Sequence, residues 1–170
     1  MAGDHRGEGA PEAVLDGRRL RVAVVAARWN SHVTLRLLDG ARRGLVDTGV
    51  DAAQVTECWV PGAFELPLAA KVWAQSGRVD AVICLGCVIR GETTHYESVA
   101  GECASGIQAA QLETGVPIAF GALTVENLDQ ALARSQGAGG HNVGEDGARV
   151  AVEMATLVRT IRSGEPAGVR

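Results

Sequence analysis

Apolar and polar positions along this chain fall into two alternating kinds of block, short continuous apolar runs and longer stretches with apolar residues at helical spacing. Arg19 to Ala26, Val55 to Val60, Ala81 to Ile89 (interrupted by Gly86) and Pro117 to Thr124 are the runs. They are rich in β-branched residues, as strands buried on both faces of a parallel sheet are. Between them, Val33, Leu37, Ala41 and Leu45 mark a helix face that Gly49 closes. A second helix opens near Pro67, where proline is tolerated in the first turn, and Gly77 closes it. A third runs from Thr94 to about Glu113, with Thr94 and Glu97 in capping-box spacing. Thr124 is placed to cap a fourth. Beyond Arg134 a glycine-rich connector reads as a hinge before a last helix, expected to bury Val150, Met154, Leu157, Val158 and Ile161.

This βαβαβα order predicts a three-layer α/β/α sandwich on a four-stranded parallel sheet of order 2-1-3-4, the flavodoxin-like arrangement. Strands 1 and 3 are then neighbours whose connections leave in opposite directions, which opens a crevice at their carboxyl ends. Trp29-Asn30 leaves strand 1, Phe64-Glu65 leaves strand 2 and Gly91 to His95 leaves strand 3, so all three segments should border it. Gly91-Glu92-Thr93-Thr94 precedes a helix start, where free N–H groups and the helix dipole favour an anion; Gly91 would supply the tight turn. His95 beside it titrates near pH ~6.5 and can pass protons, although a surface histidine in a first helical turn reads equally well. Trp29 and Phe64 could stack on a planar ligand or simply cover the core.

Composition narrows the classes. With 170 residues and 46% hydrophobic content the chain suits one buried domain, expected over 13–162 between mobile tails at 1–12 and 163–170. Sixteen Lys+Arg against 20 Asp+Glu, scattered rather than striped, argue against nucleic acid. No run reaches the roughly 18–20 apolar residues of a membrane span. The N-terminus MAGDHRGEGAPE lacks a signal-type apolar core, so a cytoplasmic location is expected. Cys84 and Cys87 form a CxxC, yet on a strand they point to opposite faces, and no second pair stands at zinc spacing; no metal site is expected. The connector SQGAGGHNVGEDG is glycine-rich but follows no strand and lacks GK[ST], so it is a poor phosphate loop.

Three runs carry a specific likeness: WVPGAFELPLAA (59–70), LGCVIRGETTHYESVA (85–100) and PIAFGALTVENLDQALAR (117–134), with an aromatic-Asn pair after strand 1. Together they resemble lumazine synthase, the family that makes the penultimate compound of riboflavin biosynthesis, from about residue 19 to 162. The resemblance implies condensation of 5-amino-6-(D-ribitylamino)uracil with 3,4-dihydroxy-2-butanone 4-phosphate, giving 6,7-dimethyl-8-ribityllumazine, phosphate and water without metal or organic cofactor. By the same likeness Trp29 is the ring-stacking aromatic, and Ala63, Phe64 and Glu65 hold the ribityl chain and pyrimidine. Cys87, Val88 and Ile89 offer backbone contacts to the uracil edge, and Phe120 closes the site from a neighbouring subunit. Gly91, Glu92 and Thr93 match the phosphate-binding turn, Arg134 the phosphate-binding arginine and His95 the proton-transfer residue. It further implies a homopentamer or larger assembly, with Ala13-Val14-Leu15 adding a strand to a neighbour's sheet and the small-residue helix Ala100 to Ala110 either lining the ring or packing on its own sheet. One departure stands out: Asn142-Val143-Gly144 carries valine where the family has lysine. That valine keeps open a flavin- or lumazine-binding or shell-forming protein without turnover.

Overall fold

The computed structural model describes residues 10–164. Four strands, β1 (Val22–Ala27), β2 (Val55–Val60), β3 (Ala81–Ile89) and β4 (Ile118–Val125), pair in parallel in the order β2-β1-β3-β4. Helices α1 (Ser31–Asp47) and α5 (Val143–Ser163) cover one face; α2 (Leu66–Gln75) and α3 (His95–Thr114) cover the other. The short α4 (Leu128–Ala133) follows β4. Each strand therefore feeds two cores. On β1, Val22, Val24 and Ala26 enter the α1/α5 core, while Ala23, Val25 and Ala27 enter the α2/α3 core, which is why the run carries no polar alternation. Cys84 and Cys87 divide the same way, Cys84 toward α2/α3 and Cys87 toward α1/α5.

The helix limits show local chemistry winning over sequence pattern. The first strand begins at Val22, not Arg19, because the chain turns there: Arg19 is left-handed at φ 65° and the Leu20 amide donates to Gly17 O at 3.1 Å. Thr94 heads α3 but makes no side-chain cap; Glu97, its expected partner, is taken by Arg90. Thr124 lies inside β4, and Asn127 caps α4 instead, accepting from the Gln130 amide at 2.9 Å. The glycine-rich connector is no hinge. Ser135 and Asn142 form an antiparallel bridge, and the Asn142 amide donates to Arg36 O and Gln136 O at 3.0 and 2.8 Å.

The largest correction concerns α5. Val150, Met154, Leu157 and Ile161 are turned outward, 37–62% exposed, and Val158 is half-buried; the buried face is Gly144, Gly147, Ala148, Ala151, Val152, Ala155 and Thr156. Close approach to α1 explains it. A Cβ on Gly144 would lie 1.9 Å from Leu37 O, and one on Gly44 would lie 2.8 Å from Ala148 Cβ, so only small residues fit at that crossing. On the other face, α3 packs on its own layer through Cys103, Ile107 and Ala110, and a Cβ on Gly106 would meet Pro67 at 2.8 Å.

Residues 10–16 form no strand; Val14 is 52% exposed and Leu15 leans on the α1/α5 core. Most of the first tail (1–9) and of the last (165–170) lies outside the described residues. Among the described residues no helix is long and apolar enough to cross a membrane.

Candidate functional site

At the carboxyl ends of β1, β2 and β3 lies a cleft of about 640 Å³, walled by Trp29, Asn30, Gly62, Ala63, Phe64, Glu65, Cys87, Val88, Ile89, His95, Ser98 and Val99. It is the crevice expected from strand order: β1 and β3 are adjacent, and their connections leave to opposite faces of the sheet. A volume of this size suits a small organic ligand.

Trp29 and Asn30 form the turn out of β1. The Arg28 and Trp29 amides continue the β ladder onto Val60 O and Pro61 O at 2.9 and 3.1 Å. Asn30 then takes a left-handed conformation, φ 58°, at the position before α1. Asparagine there ordinarily caps the helix with its side chain. Here no such cap forms, and the amide reaches across to donate to Cys87 O at 2.8 Å, tying the end of β1 to the end of β3. The wall from β2 is a single helical turn, Ala63–Glu65. The Gly62 amide donates to Glu65 Oε2 at 2.9 Å, and the Glu65 amide to Gly62 O at 3.2 Å, so the carboxylate is held by its own turn. A Cβ on Gly62 would come within 2.9 Å of the Trp29 ring and 3.2 Å of Glu65 Oε2; glycine is therefore what lets the indole and the carboxylate share this wall.

Trp29 and Phe64 are 75% and 57% exposed on the rim. Two aromatic rings left exposed beside one cleft do not cover the core of their own chain and are open to a ligand or to another surface. The third wall is the edge of β3 and the first turn of α3. Val88 and Ile89 are half-buried, and His95, Ser98 and Val99 follow at helical spacing on one face. The His95 imidazole is exposed and engages no other side chain among the described residues, leaving both ring nitrogens available.

The candidate anion turn stands next to this wall rather than in it. Gly91, Glu92 and Thr93 are exposed and link β3 to α3. Gly91 has no positive φ and nothing within 4 Å of its missing Cβ, so the turn does not demand glycine. The His95 amide donates to Thr93 Oγ1 at 3.4 Å, which occupies one helix-start donor. An ionic fork holds the turn from outside: Arg90 pairs with Glu97, donates to Glu126 Oε2 at 2.8 Å, and lies 4.1 Å from the Tyr96 ring centre. Phe120 and Arg134 stand apart from the cleft walls. Phe120 lies in register with Cys84 on the edge strand β4 and is 43% exposed; Arg134 ends α4, its Nη1 donating to Gln130 O at 3.1 Å. Val143 starts α5 and packs against the core, its amide donating to Arg134 O at 2.9 Å.

Asn30 as a cross-tie, Gly62, Ser98 and Val99 were not singled out from sequence. The i, i+3, i+4 spacing from His95 is the signal that places Ser98 and Val99; only packing reveals Gly62. The three buried thiols are held neutral. Burial pushes Cys87 and Cys103 up to about 11, and Cys84 higher still, whereas metal binding and redox exchange need the thiolate. Among the described residues no group of three His, Cys, Asp or Glu stands close enough together to hold a metal ion.

Among solved structures, the chain is similar to a GDP-L-fucose synthetase from Naegleria fowleri, at 11% identity and a TM-score of 0.36. That match covers 93% of this chain and spans about half (50%) of the other protein's length, a likeness too loose to bear on fold or activity. The comparison of families is specific. A family model described as 6,7-dimethyl-8-ribityllumazine synthase matches residues 19–159, through all four strands, the Trp29-Asn30 turn, the Gly62–Glu65 turn and the His95 helix. With a cleft assembled from those same segments, the chain belongs to the 6,7-dimethyl-8-ribityllumazine synthase family.

Proposed function

We propose that this chain is a transferase that condenses 5-amino-6-(D-ribitylamino)uracil with 3,4-dihydroxy-2-butanone 4-phosphate to 6,7-dimethyl-8-ribityllumazine, releasing phosphate and water. The observation that carries the proposal is the convergence of an exposed indole, a fixed carboxylate, a strand edge and a free imidazole on one cleft, in a chain of this family. Trp29 stacks on the pyrimidine, with Phe64 beside it on the rim. Ala63 and Glu65 engage the ribityl hydroxyls, and the backbone of Cys87, Val88 and Ile89 pairs with the uracil edge. Gly91 and Thr93, with the amide of Glu92, receive the phosphate; the Glu92 carboxylate must point away, since it repels that anion.

The chemistry asks for proton transfers. The amine attacks the ketone carbonyl and water leaves to give an imine; a carbon-bound proton then departs as phosphate is eliminated. The resulting enol becomes a carbonyl, and the ribityl-bearing nitrogen attacks that carbon, closing the ring with loss of a second water. His95, adjoining the phosphate turn with both ring nitrogens available, takes and returns these protons. Holding the two substrates in contact can contribute about 7–11 kcal/mol in favourable cases, and the phosphate contacts both orient the ketone and stabilise the departing anion. The scheme uses no metal or organic cofactor.

Phe120 and Arg134 lie outside their own cleft. In this reading they serve the cleft of a neighbouring copy, so the working unit is a homopentamer or a larger assembly of pentamers, with Ala13-Val14-Leu15 able to join a neighbour's sheet. Its place of work is the cytoplasm. Nucleic acid and membranes have no role in it. A second reading, a lumazine- or flavin-binding or shell-forming protein without turnover, is favoured by one feature: Val143 packs into the core where a cation would strengthen phosphate binding.

Mixing both substrates and following lumazine absorbance separates the two. Turnover that falls by about 10²–10⁴-fold in His95→Ala supports the enzyme. Binding without product supports the passive role, and equal rates in both proteins would remove His95 from proton transfer.

A further inference from the structure

The amino end of the sheet, opposite the cleft, gathers arginines that the proposed reaction does not use. Arg19, Arg159 and Arg162 rim a pocket of about 250 Å³, with Asp80 its one carboxylate among the described residues and Leu20, Val79, Val116, Pro117, Ala155 and Val158 forming an apolar floor. A second depression, bordered by Asp16, Arg18, Arg19 and Arg159, adjoins it through the shared Arg19 and Arg159.

The two carboxylates here are already committed. Asp80 accepts from the Arg21 amide at 2.8 Å and from Arg21 Nε and Nη2 at 3.2 and 3.0 Å. Asp16 accepts from Arg18 Nε at 2.9 Å and pairs with Arg159 Nη2 at 3.5 Å. Among the described residues five guanidiniums (18, 19, 21, 159 and 162) thus face two carboxylates, a local excess of positive charge in a chain of net charge −4.

Arg162 is fixed by a backbone carbonyl, and Arg159 by a carbonyl together with its ion pair to Asp16. Arg162 Nη2 donates to Gly115 O at 3.0 Å, so close that a Cβ at 115 would meet it at 2.9 Å. Arg159 Nη1 donates to Arg18 O at 3.3 Å. The tether of Arg162 uses one of five N–H donors and leaves its charge and other donors to a ligand, whereas Arg159 shares the Asp16 carboxylate with Arg18. Arg19 is the third, and no other group engages its side chain among the described residues. Its backbone sits at φ 65°, a left-handed conformation that is strained for a non-glycine residue. Strain of this kind persists where surrounding structure imposes it and clusters at binding sites. The chain spends it on presenting a cation.

From the guanidinium rim and the apolar floor together we infer that this pocket binds a small organic phosphomonoester, the phosphate gripped by Arg19, Arg159 and Arg162 and its carbon group resting on Val79, Val116, Pro117 and Val158. Arginine forks match phosphate oxygens in pairs. The floor distinguishes an organic phosphate from the free anion, since each buried CH₂ adds about 0.8 kcal/mol.

Phenyl phosphate and inorganic phosphate, titrated separately into the full chain at low salt, test this, with methyl NMR as the readout because phosphate can also enter the cleft. Phenyl phosphate should shift the methyls of Val79, Val116 and Val158 saturably, with a half-point about fivefold or more below that of inorganic phosphate. The Arg19→Asn/Arg162→Gln double variant should raise that half-point about tenfold or more. Asparagine tolerates the left-handed backbone, and glutamine can still reach Gly115 O. Unchanged shifts of Val88 and Val99 at the cleft verify that the variant is folded. No saturable shift at the three floor valines, an undiminished response in the variant, or equal potency of the two anions would each overturn the assignment.

Discussion

The two ends of β1 make an instructive pair, because each is flanked by a non-glycine residue in the left-handed region, and among the described residues these are the only two: Arg19 before the strand and Asn30 after it. Asn30 is compensated. Its side-chain amide reaches Cys87 O at 2.8 Å and joins two neighbouring strands at the mouth of the cleft. Arg19 has no such partner among the described residues and stands exposed at the arginine-rich end. The same backbone conformation therefore serves rigidity at one end and presentation of charge at the other. The chemical characters differ accordingly, with aromatic rings and an imidazole around the cleft and guanidiniums over an apolar floor opposite.

Substitutions can break this contrast. The largest stability effect is expected at Asn30. Alanine removes a hydrogen bond worth about 1 kcal/mol and tolerates the left-handed backbone less well, so Asn30→Ala should lose about 2 kcal/mol in urea unfolding. Asn30→Gly should lose about half as much, because only the bond is forfeited; equal losses would show that the backbone conformation carries no cost. At the other end the sign should reverse. Arg19→Gly relieves strain without losing a partner and should stabilise the fold by about 0.5–1 kcal/mol, after allowing for glycine's greater freedom when unfolded. A destabilised Arg19→Gly protein would mean that its side chain is engaged after all.

A smaller effect concerns pH. Burial raises the Asp80 pKa, but the hydrogen bonds from Arg21 outweigh it and hold the carboxyl below its ordinary 3.8. A carboxylate depressed in the folded state adds stability that is present above its unfolded pKa and lost as pH falls through the folded one. Stability should therefore decline below about pH 4, and Asp80→Asn should flatten that part of the acid limb; an unaltered acid limb would assign the decline to other carboxylates. The smallest change tests the cleft's phosphate side. Val143→Lys should lower KM for the phosphate substrate a few-fold by adding a cation, at some cost in stability because Val143 packs against the core. An unchanged or raised KM would count against a phosphate at that position.

Much of this architecture could be read from sequence because parallel strands buried on both faces leave an unbroken apolar signal. The β2 run Val55–Val60 and the α1 face Val33, Leu37, Ala41 and Leu45 lie where the pattern puts them. The strand order follows from the helical crossovers, and the order in turn locates Trp29, Glu65 and His95 around one crevice. Caps were less legible because side chains compete. Glu97 is drawn to Arg90, a residue before the turn, and so does not complete a box with Thr94. The buried face of α5 departs from the periodicity because that pattern weighs large apolar residues, while the close crossing with α1 at Gly144 and Ala148 leaves room only for small ones. Phe120 and Arg134 belong to no wall of their own chain's cleft, because the strand order that builds the crevice places only the segments leaving β1, β2 and β3 around it.

The glycine at 62 gives the molecule an optical property of its own. Trp73 spends its indole N–H on Cys58 Sγ at 3.3 Å and Trp59 leans on the α1/α5 core, whereas Trp29 stands clear of the body, its rotation bounded by a backbone without a side chain. Arrival of a flat ring on that surface would alter the emission of one fluorophore out of three, so that occupancy of the cleft can be followed by light without a label.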